Sequence, residues 1–313
     1  MCTFVAMEVL VPDVLVVGDL NPDLLLSGDV VPRFDQSEQL LTSAELILGG
    51  SAGIVAHAFA RLGVPVALAA VVGDDAFGAL AREWLAAAGV DVGPVRVHPQ
   101  LPTGLTVVLG LPDTRTMLTL PGAMGALTAA DVGDDVLAGV RHVHATSFYL
   151  QPALAAGLGG LFGRARALGA TTSLDTNADP AGAWAGLAGV LPVTDVLLPN
   201  RAEALGIAGL GGDDVVAAAE AIAARGPLVV VKDGAAGAVA VAPAGDVVRA
   251  PGVPVDAVET TGAGDTFDAA FVTARLRGLS LGECLAVACR AGALSTRAAG
   301  GTAAQPTAPE LGL

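Results

Sequence analysis

The sequence predicts an α/β fold: a doubly wound, mostly parallel sheet with helices on both faces and a small β-sheet lid beside it. Three observations carry this reading. Short apolar runs alternate with Ala-rich stretches of helical period along the 313 residues. Many of those runs are continuously apolar rather than alternating, the pattern of parallel strands covered on both faces. Two segments break the rhythm. Residues 26–48 are too long for an ordinary βα loop, and residues 96–120 are rich in Thr, Val and Pro with little helical period. Both fit β-structure outside the main sheet. No internal repeat or low-complexity linker divides the chain, so residues 1–313 read as one domain with an excursion.

The elements follow in order. Val14–Val17 is the first strand, four β-prone residues in a row, and the excursion at residues 26–48 follows it. Ala52–Leu62 then reads as a helix, Val66–Val72 as a strand and Phe77–Ala88 as a second helix, on the alternation of β-branched runs with Ala-rich helical stretches. Leu105–Leu109 is a strand inside the second excursion. Ala129–Leu137 and Pro152–Leu168 read as helices on either side of the strand His142–Thr146. Thr171–Leu174, Val196–Leu198, Leu228–Val231 and Ala238–Ala242 are the later strands, with the helix Asp213–Ala224 among them. Asp265–Arg277 and Leu281–Arg297 close the chain as helices. This βα order is that of layered α/β proteins.

Composition bounds the function. Hydrophobic residues make up 53% and charged residues 15%, the reverse of a disordered chain. The apolar residues are spread out and interrupted by Gly, Pro and Thr, so no run of about 20 is long enough to span a bilayer. No basic-then-apolar signal pattern opens the chain, and the expected location is cytoplasmic. A formal charge of −15 argues against nucleic-acid backbones and anionic membranes as partners. Cys2, Cys284 and Cys289 make neither a disulfide framework nor a zinc spacing. His142 and His144 share a strand face but have no third ligand in view, so they read as structural. The chain has neither a P-loop motif nor the motif set of protein kinases. It also lacks a Gly-x-Gly-x-x-Gly turn after its first strand, which lowers a dinucleotide-binding dehydrogenase.

The most informative segment is Glu259-Thr-Thr261-Gly262-Ala263-Gly264-Asp265-Thr-Phe267. Small residues let the backbone turn tightly and approach a ligand. A helix begins there, with unpaired N–H groups that suit a phosphate. Asp265 stands beside that anion site, where its carboxylate can accept a proton from an attacking hydroxyl. The competing reading is that Asp265 caps the helix, since Asp is among the best N-caps. Lys232 is the only lysine against 15 arginines, and it ends an apolar strand on the side where α/β sheets bind ligands.

The segment resembles the C-terminal signature of the ribokinase-like, or PfkB, family of sugar and nucleoside kinases. The resemblance extends over nearly the whole chain. Gly18-Asp-Leu-Asn21-Pro-Asp23 is similar to the family's first strand and substrate-contacting Asp. Gly49-Gly50-Ser51 and Val72-Gly-Asp-Asp-Ala-Phe-Gly78 resemble its first signature. Leu198-Pro-Asn200-Arg-Ala-Glu203 resembles its Asn-x-x-Glu motif, and Val231-Lys232-Asp-Gly234-Ala-Ala-Gly237 its nucleotide loop. The family fold is the doubly wound domain with a lid inferred above.

The resemblance implies an ATP-dependent kinase acting on a hydroxymethyl group of a small sugar or nucleoside. Asp265 would be the general base, and the backbone from Gly262 through Ala263 and Gly264 to Asp265 the anion hole. Asn21, Asp23, Gly49, Gly50, Ser51 and Ile54 would line the substrate site. Asn200, Glu203, Lys232, Gly234 and Gly237 would serve ATP, with Glu203 reaching Mg²⁺ through water. Relatives commonly dimerise through the lid, which implies a homodimer. Two departures stand out. Ile54 replaces an Asn that hydrogen-bonds sugar hydroxyls, which favours a deoxy sugar, a nucleoside or another modified ring unless Ile54 lies in the core. Glu259, with Thr261, stands where many members bind a monovalent cation through Asp, which leaves K⁺ activation open. His57, one helical turn beyond Ile54, is core or substrate contact. The rival to an enzyme is a sugar- or nucleoside-binding protein on the same scaffold without turnover.

Overall fold

The computed structural model describes residues 11–34, 37–111 and 114–313. Residues 1–10, with Cys2 among them, and residues 35–36 and 112–113 lie outside the described residues. The strands are β1 (Val14–Val17), β2 (Asn21–Gly28), β3 (Leu41–Gly49), β4 (Val66–Ala69), β5 (Val71–Gly73), β6 (Arg96–His98), β7 (Leu105–Leu111) and β8 (Thr114–Leu120). They continue with β9 (His142–Ala145), β10 (Thr171–Leu174), β11 (Val196–Leu197), β12 (Leu228–Lys232), β13 (Ala238–Val241) and β14 (Val247–Ala250). The helices are α1 (Ser51–Arg61), α2 (Ala76–Ala87), α3 (Asp134–Leu137), α4 (Pro152–Ala155) and α5 (Leu158–Ala167). They end with α6 (Arg201–Ala208), α7 (Val215–Ala223), α8 (Ala263–Leu276), α9 (Leu281–Ser295) and α10 (Ala308–Leu311).

The main sheet has the order β14-β13-β12-β11-β10-β9-β1-β4, parallel from β4 to β12 and antiparallel at its β13 and β14 edge. Period-two geometry sends Leu15 and Val17 to one face and Val14 and Val16 to the other. The first pair packs among residues of α5 and α7, including Phe162 and Ile222. The second packs among residues of α1, α2 and α8, including Phe59, Leu85 and Val272. Burial on both faces is why β1 is continuously apolar. From β1 the chain passes to β4 on one side, and later strands build out from β9 on the other. The strand order therefore reverses at β1, and ligands of open α/β sheets bind at the carboxyl ends beside such a reversal.

The four-stranded sheet β3-β2-β7-β8 is the small lid expected from the two excursions. β2 pairs with β3 and β7 with β8 in antiparallel register, and β2 with β7 in parallel. Several expected boundaries move. The strand expected over Val66–Val72 divides at Ala70, and β5 leaves the main sheet to pair with β6, so Arg96–His98 does not belong to the lid. Gly133 ends the helix expected over Ala129–Leu137, leaving a 3₁₀ turn at Ala129–Asp131 and the single turn α3. The helix expected from Pro152 breaks at Gly157 into α4 and α5. α6 and β14 are short elements that sequence periodicity misses. Among the described residues no helix is long and apolar enough to cross a membrane. Cys284 and Cys289 are buried free thiols packed in the core with Phe267 and Phe271.

Candidate active site

Five main-sheet strands bring polar residues to the carboxyl edge of the sheet: Asp19 just past β1, Thr146 past β9, Asp175 past β10, Asn200 near β11 and Lys232 at the end of β12. Asp19 is buried and receives the Ser51 and Ala52 amides at 3.1 and 3.2 Å, and the Thr146 hydroxyl at 3.2 Å. It thereby satisfies the N-terminus of α1, for which Gly50 supplies no side-chain cap. Asn21 lies on β2 and donates to Asp23 Oδ1 at 2.9 Å. A Cβ on Gly49 would come within 2.1 Å of that same Asp23 oxygen, so only glycine lets the carboxylate fold against the β3 backbone. Burial, then the neighbouring Asp19 charge, pushes the Asp23 carboxyl up to about 7.

Helix α8 starts at Ala263, two residues before the expected boundary. Its N-cap is Gly262, in the left-handed region at φ +72° with no side-chain cap. A Cβ there would strike Gly301 at 2.7 Å and Ile54 Cγ2 at 3.0 Å. Asp265 is thus the third helical residue and not the cap, which removes the capping account of it. Its carboxylate instead accepts the Ser51 hydroxyl at 2.5 Å. Burial, countered in part by the Ser51 hydrogen bond, pushes the Asp265 carboxyl up to about 7. The Ala263 amide donates to the Thr260 carbonyl at 3.3 Å, so it is committed within the turn. The Gly264 and Asp265 amides, in the first turn of α8, have no helical partner.

Beneath the turn lies a buried ionic cluster. Lys232 Nζ donates to Asp175 Oδ2 at 2.7 Å and to the Asp268 oxygens at 3.1 and 3.0 Å. A Cβ on Gly264 would lie 3.4 Å from that Nζ. Burial works against the ammonium, but Asp175 and Asp268 outweigh it and hold Lys232 above the ordinary lysine range. Burial drives Asp268 well above the usual carboxylate range. Asp175 would follow it, but the Lys232 charge holds it below that range. The solitary lysine of the sequence is therefore a charge locked between two carboxylates. Neither Asp175 nor Asp268 stands out in the sequence. Asp175 has a positional signal, following a strand at the ligand-binding edge; Asp268 has one in being a charge set among Phe267, Ala269 and Ala270, three residues beyond Asp265.

Asn200 caps α6 in a reciprocal box: it receives the Glu203 amide at 3.0 Å, and Glu203 receives the Asn200 backbone and side-chain N–H groups at 2.8 and 2.6 Å. Glu203 is buried, and burial followed by the Asp175 charge pushes its carboxyl up to about 7. A nearby cation would stabilise the ionised form of this buried carboxylate. Among the described residues no three His, Cys, Asp or Glu side chains converge to hold a metal unaided. Mg²⁺ would therefore need phosphate oxygens and water as well, which fits Glu203 acting through water.

An apolar cavity of about 550 Å³ adjoins the turn, lined among others by Lys232, Gly234, Gly237, Gly264, Phe267 and Gly292. Lys232 thus meets the expected nucleotide loop.

The two departures from the family have these surroundings. Ile54 is 3% exposed, packed against Gly262 and Gly301 behind the anion turn. Its neighbours there are atoms of the turn and of the Gly301 segment, which supports the core reading of Ile54 over a substrate contact. At Glu259 and Thr261, Arg115 on β8 donates to both, at 2.8 and 2.9 Å. His57 bonds Gln305 at 2.6 Å, and Gln305 in turn bonds the Ile54 carbonyl and the Thr266 hydroxyl, which places His57 in the packing behind α8. His142 and His144 are structural as expected, bonded at 2.7 Å to Thr171 and Ser173.

Comparison with known proteins agrees with this geometry. The family model for pfkB family carbohydrate kinases matches residues 11–308. An ATP-dependent ribose-1-phosphate kinase from Halopiger xanaduensis is 34% identical over 296 residues, covering 94% of this chain and 95% of its own. A nucleoside kinase from Methanothermobacter thermautotrophicus is 30% identical, with 87% of this chain and 85% of its own covered. Among solved structures, an E. coli protein described as a ribokinase II, in complex with ATP and Mg²⁺, superposes with a TM-score of 0.84 at 25% identity, covering 96% of this chain and 98% of that one. With its doubly wound sheet, its lid and its ordered motifs, the chain belongs to the PfkB family of carbohydrate kinases and is a phosphotransferase that uses an alcohol group as acceptor.

Proposed function

We propose that the protein transfers a phosphoryl group from ATP to a hydroxymethyl group of a pentose-type sugar or a nucleoside, with Asp265 as general base. The observation that carries this is the placement of Asp265: buried, held near pH 7, and in the same helical turn as the free Gly264 and Asp265 amides. A base works best with its pKa near the working pH. Phosphoryl transfer needs in-line positioning and charge stabilisation more than covalent help. Asp23 and Asn21, with the backbone at Gly49 and Gly50, hold the acceptor under the lid. Ser51 fixes the Asp265 carboxylate so that its other oxygen faces the incoming hydroxyl. The proton moves to Asp265, and the two free amides take the charge that develops on the transferred group. Lys232, its charge balanced by Asp175 and its position held by Asp268, fixes the floor beneath them.

The apolar cavity, flanked by Gly234, Gly237 and Gly292, has the size of a nucleotide pocket and receives the base and ribose of ATP. Asn200 and Glu203 orient the waters of Mg²⁺, which when bound neutralises phosphate charge. Two of the relatives, the ribose-1-phosphate kinase and the nucleoside kinase, support a ribose-like ring as substrate class. We place the whole chain in one kinase domain, active in the cytoplasm. A second copy would cover the lid, whose Leu41, Leu46, Met117, Leu118 and Leu120 are exposed. The test is ADP release with a panel of ribose, ribose 1-phosphate, fructose and nucleosides. A preference for a ribose ring, with the phosphate on its hydroxymethyl oxygen, is expected; transfer to none of them would defeat the reading.

A further inference from the structure

Glu259 is a carboxylate that accepts from four donors. Its Oε1 accepts Arg115 Nη1 at 2.8 Å and the Thr261 amide at 2.9 Å, along with the Thr261 hydroxyl. Its Oε2 accepts the Gly300 amide at 2.7 Å. The same Arg115 nitrogen donates to Thr261 Oγ1 at 2.9 Å. The guanidinium therefore sits between the two side chains that would otherwise offer oxygens to a monovalent ion. It carries the charge such an ion would bring. The carboxylate is 24% exposed and the guanidinium 35%, so the pair is neither sealed nor freely solvated.

Arg115 comes from the lid strand β8, and Glu259 and Thr261 lead directly into Gly262 and the anion turn. One contact thus joins the lid to the backbone that must hold the transferred charge. A tethered guanidinium also differs from a dissolved ion. It is carried by the lid strand β8 and so meets Glu259 at the high effective concentration of an intramolecular group.

We infer that Arg115 is a positioning residue that replaces a monovalent cation, so that catalysis needs no K⁺ and the lid strand β8 braces the anion turn. The inference rests on the kinase reading for its rate effect but not for its binding geometry, and the test reads both. Wild type and Arg115→Gln are compared in potassium, sodium and tetramethylammonium chloride at equal ionic strength, by initial rate and by melting temperature. Wild type is expected to hold its rate within about twofold across the three salts, and Arg115→Gln to lose about tenfold in kcat in tetramethylammonium. Because the Gln variant leaves Glu259 without a cation, potassium should restore part of that rate and raise its melting temperature, while wild type melts alike in all three salts. Stimulation of wild type by potassium of about fivefold or more would overturn the inference, as would an Arg115→Gln rate within about twofold of wild type in tetramethylammonium. If no acceptor is phosphorylated, the melting comparison decides alone: a potassium-specific rise in wild type overturns the inference, and one confined to the variant supports it.

Discussion

Asp265 combines two demands on one carboxylate. Burial lifts its pKa toward 7, which suits a general base and costs stability whenever the group is ionised. The sign follows from the direction of the shift. The folded state holds the proton more tightly than the unfolded chain, so the favourable contribution is complete below the unfolded value of 3.8 and is lost as pH rises through about 7. Asp265→Asn should therefore lower kcat by about 10²–10⁴-fold. It should melt no lower than wild type at pH 8, and higher if the ionised carboxylate is the larger strain. In wild type, kcat/KM should fall about tenfold per pH unit below about pH 7 as Asp265 takes up its proton. A variant with near wild-type kcat would remove Asp265 from the base role. Ile54 makes the opposite case, a residue near the chemistry that acts by packing. Ile54→Asn places a polar amide against Gly262 and Gly301, at a cost of about 1–3 kcal/mol. Thermal melts should drop, and kcat/KM should fall alike for every acceptor. A change in acceptor preference at unchanged melting temperature would show contact with substrate instead.

At the scale of elements, helix starts do most of the functional positioning. Three of them sit at the carboxyl edge of the sheet: α1 held by Asp19, α6 by its Asn200–Glu203 box, and α8 opened by Gly262. Glu203 has a double use, since the carboxylate that closes the α6 cap is also crowded by the Asp175 charge. A cap alone is worth about 0.5–2 kcal/mol and has no bearing on metal. Glu203→Gln should lower kcat and raise the Mg²⁺ concentration needed for half-maximal rate, beyond any loss in melting temperature. An unchanged Mg²⁺ requirement would reduce Glu203 to a cap.

For the whole molecule, the lid is the element with least covering. One long edge of the site is closed by β2, β3, β7 and β8, and Met117, Leu118 and Leu120 on β8 are each more than half exposed. Exposed apolar strand surface invites pairing or covering by another chain. Light scattering should give twice the mass of the chain. Leu118→Glu should shift that mass toward one chain, with a weaker hold on the acceptor; a monomeric wild type would rule out the dimer.

The layered α/β fold is legible in the residues alone, because continuous apolar strands and Ala-rich helices are local patterns that need two covered faces wherever they occur. The order of the motifs and the chemistry of the Gly262–Asp265 turn are legible there too, since backbone freedom and an adjacent carboxylate are written in adjacent residues. Only the tertiary structure decided the partnerships. That Lys232 lies between Asp175 and Asp268, and that Arg115 reaches Glu259 across 144 positions, depends on how distant strands are brought together. The same is true of Ile54, which the sequence sets one turn into α1 beside a substrate motif and the fold sets behind α8. Side-chain direction at a helix start is fixed by what packs against it, and here that neighbour comes from the far end of the chain, at Gly262 and Gly301.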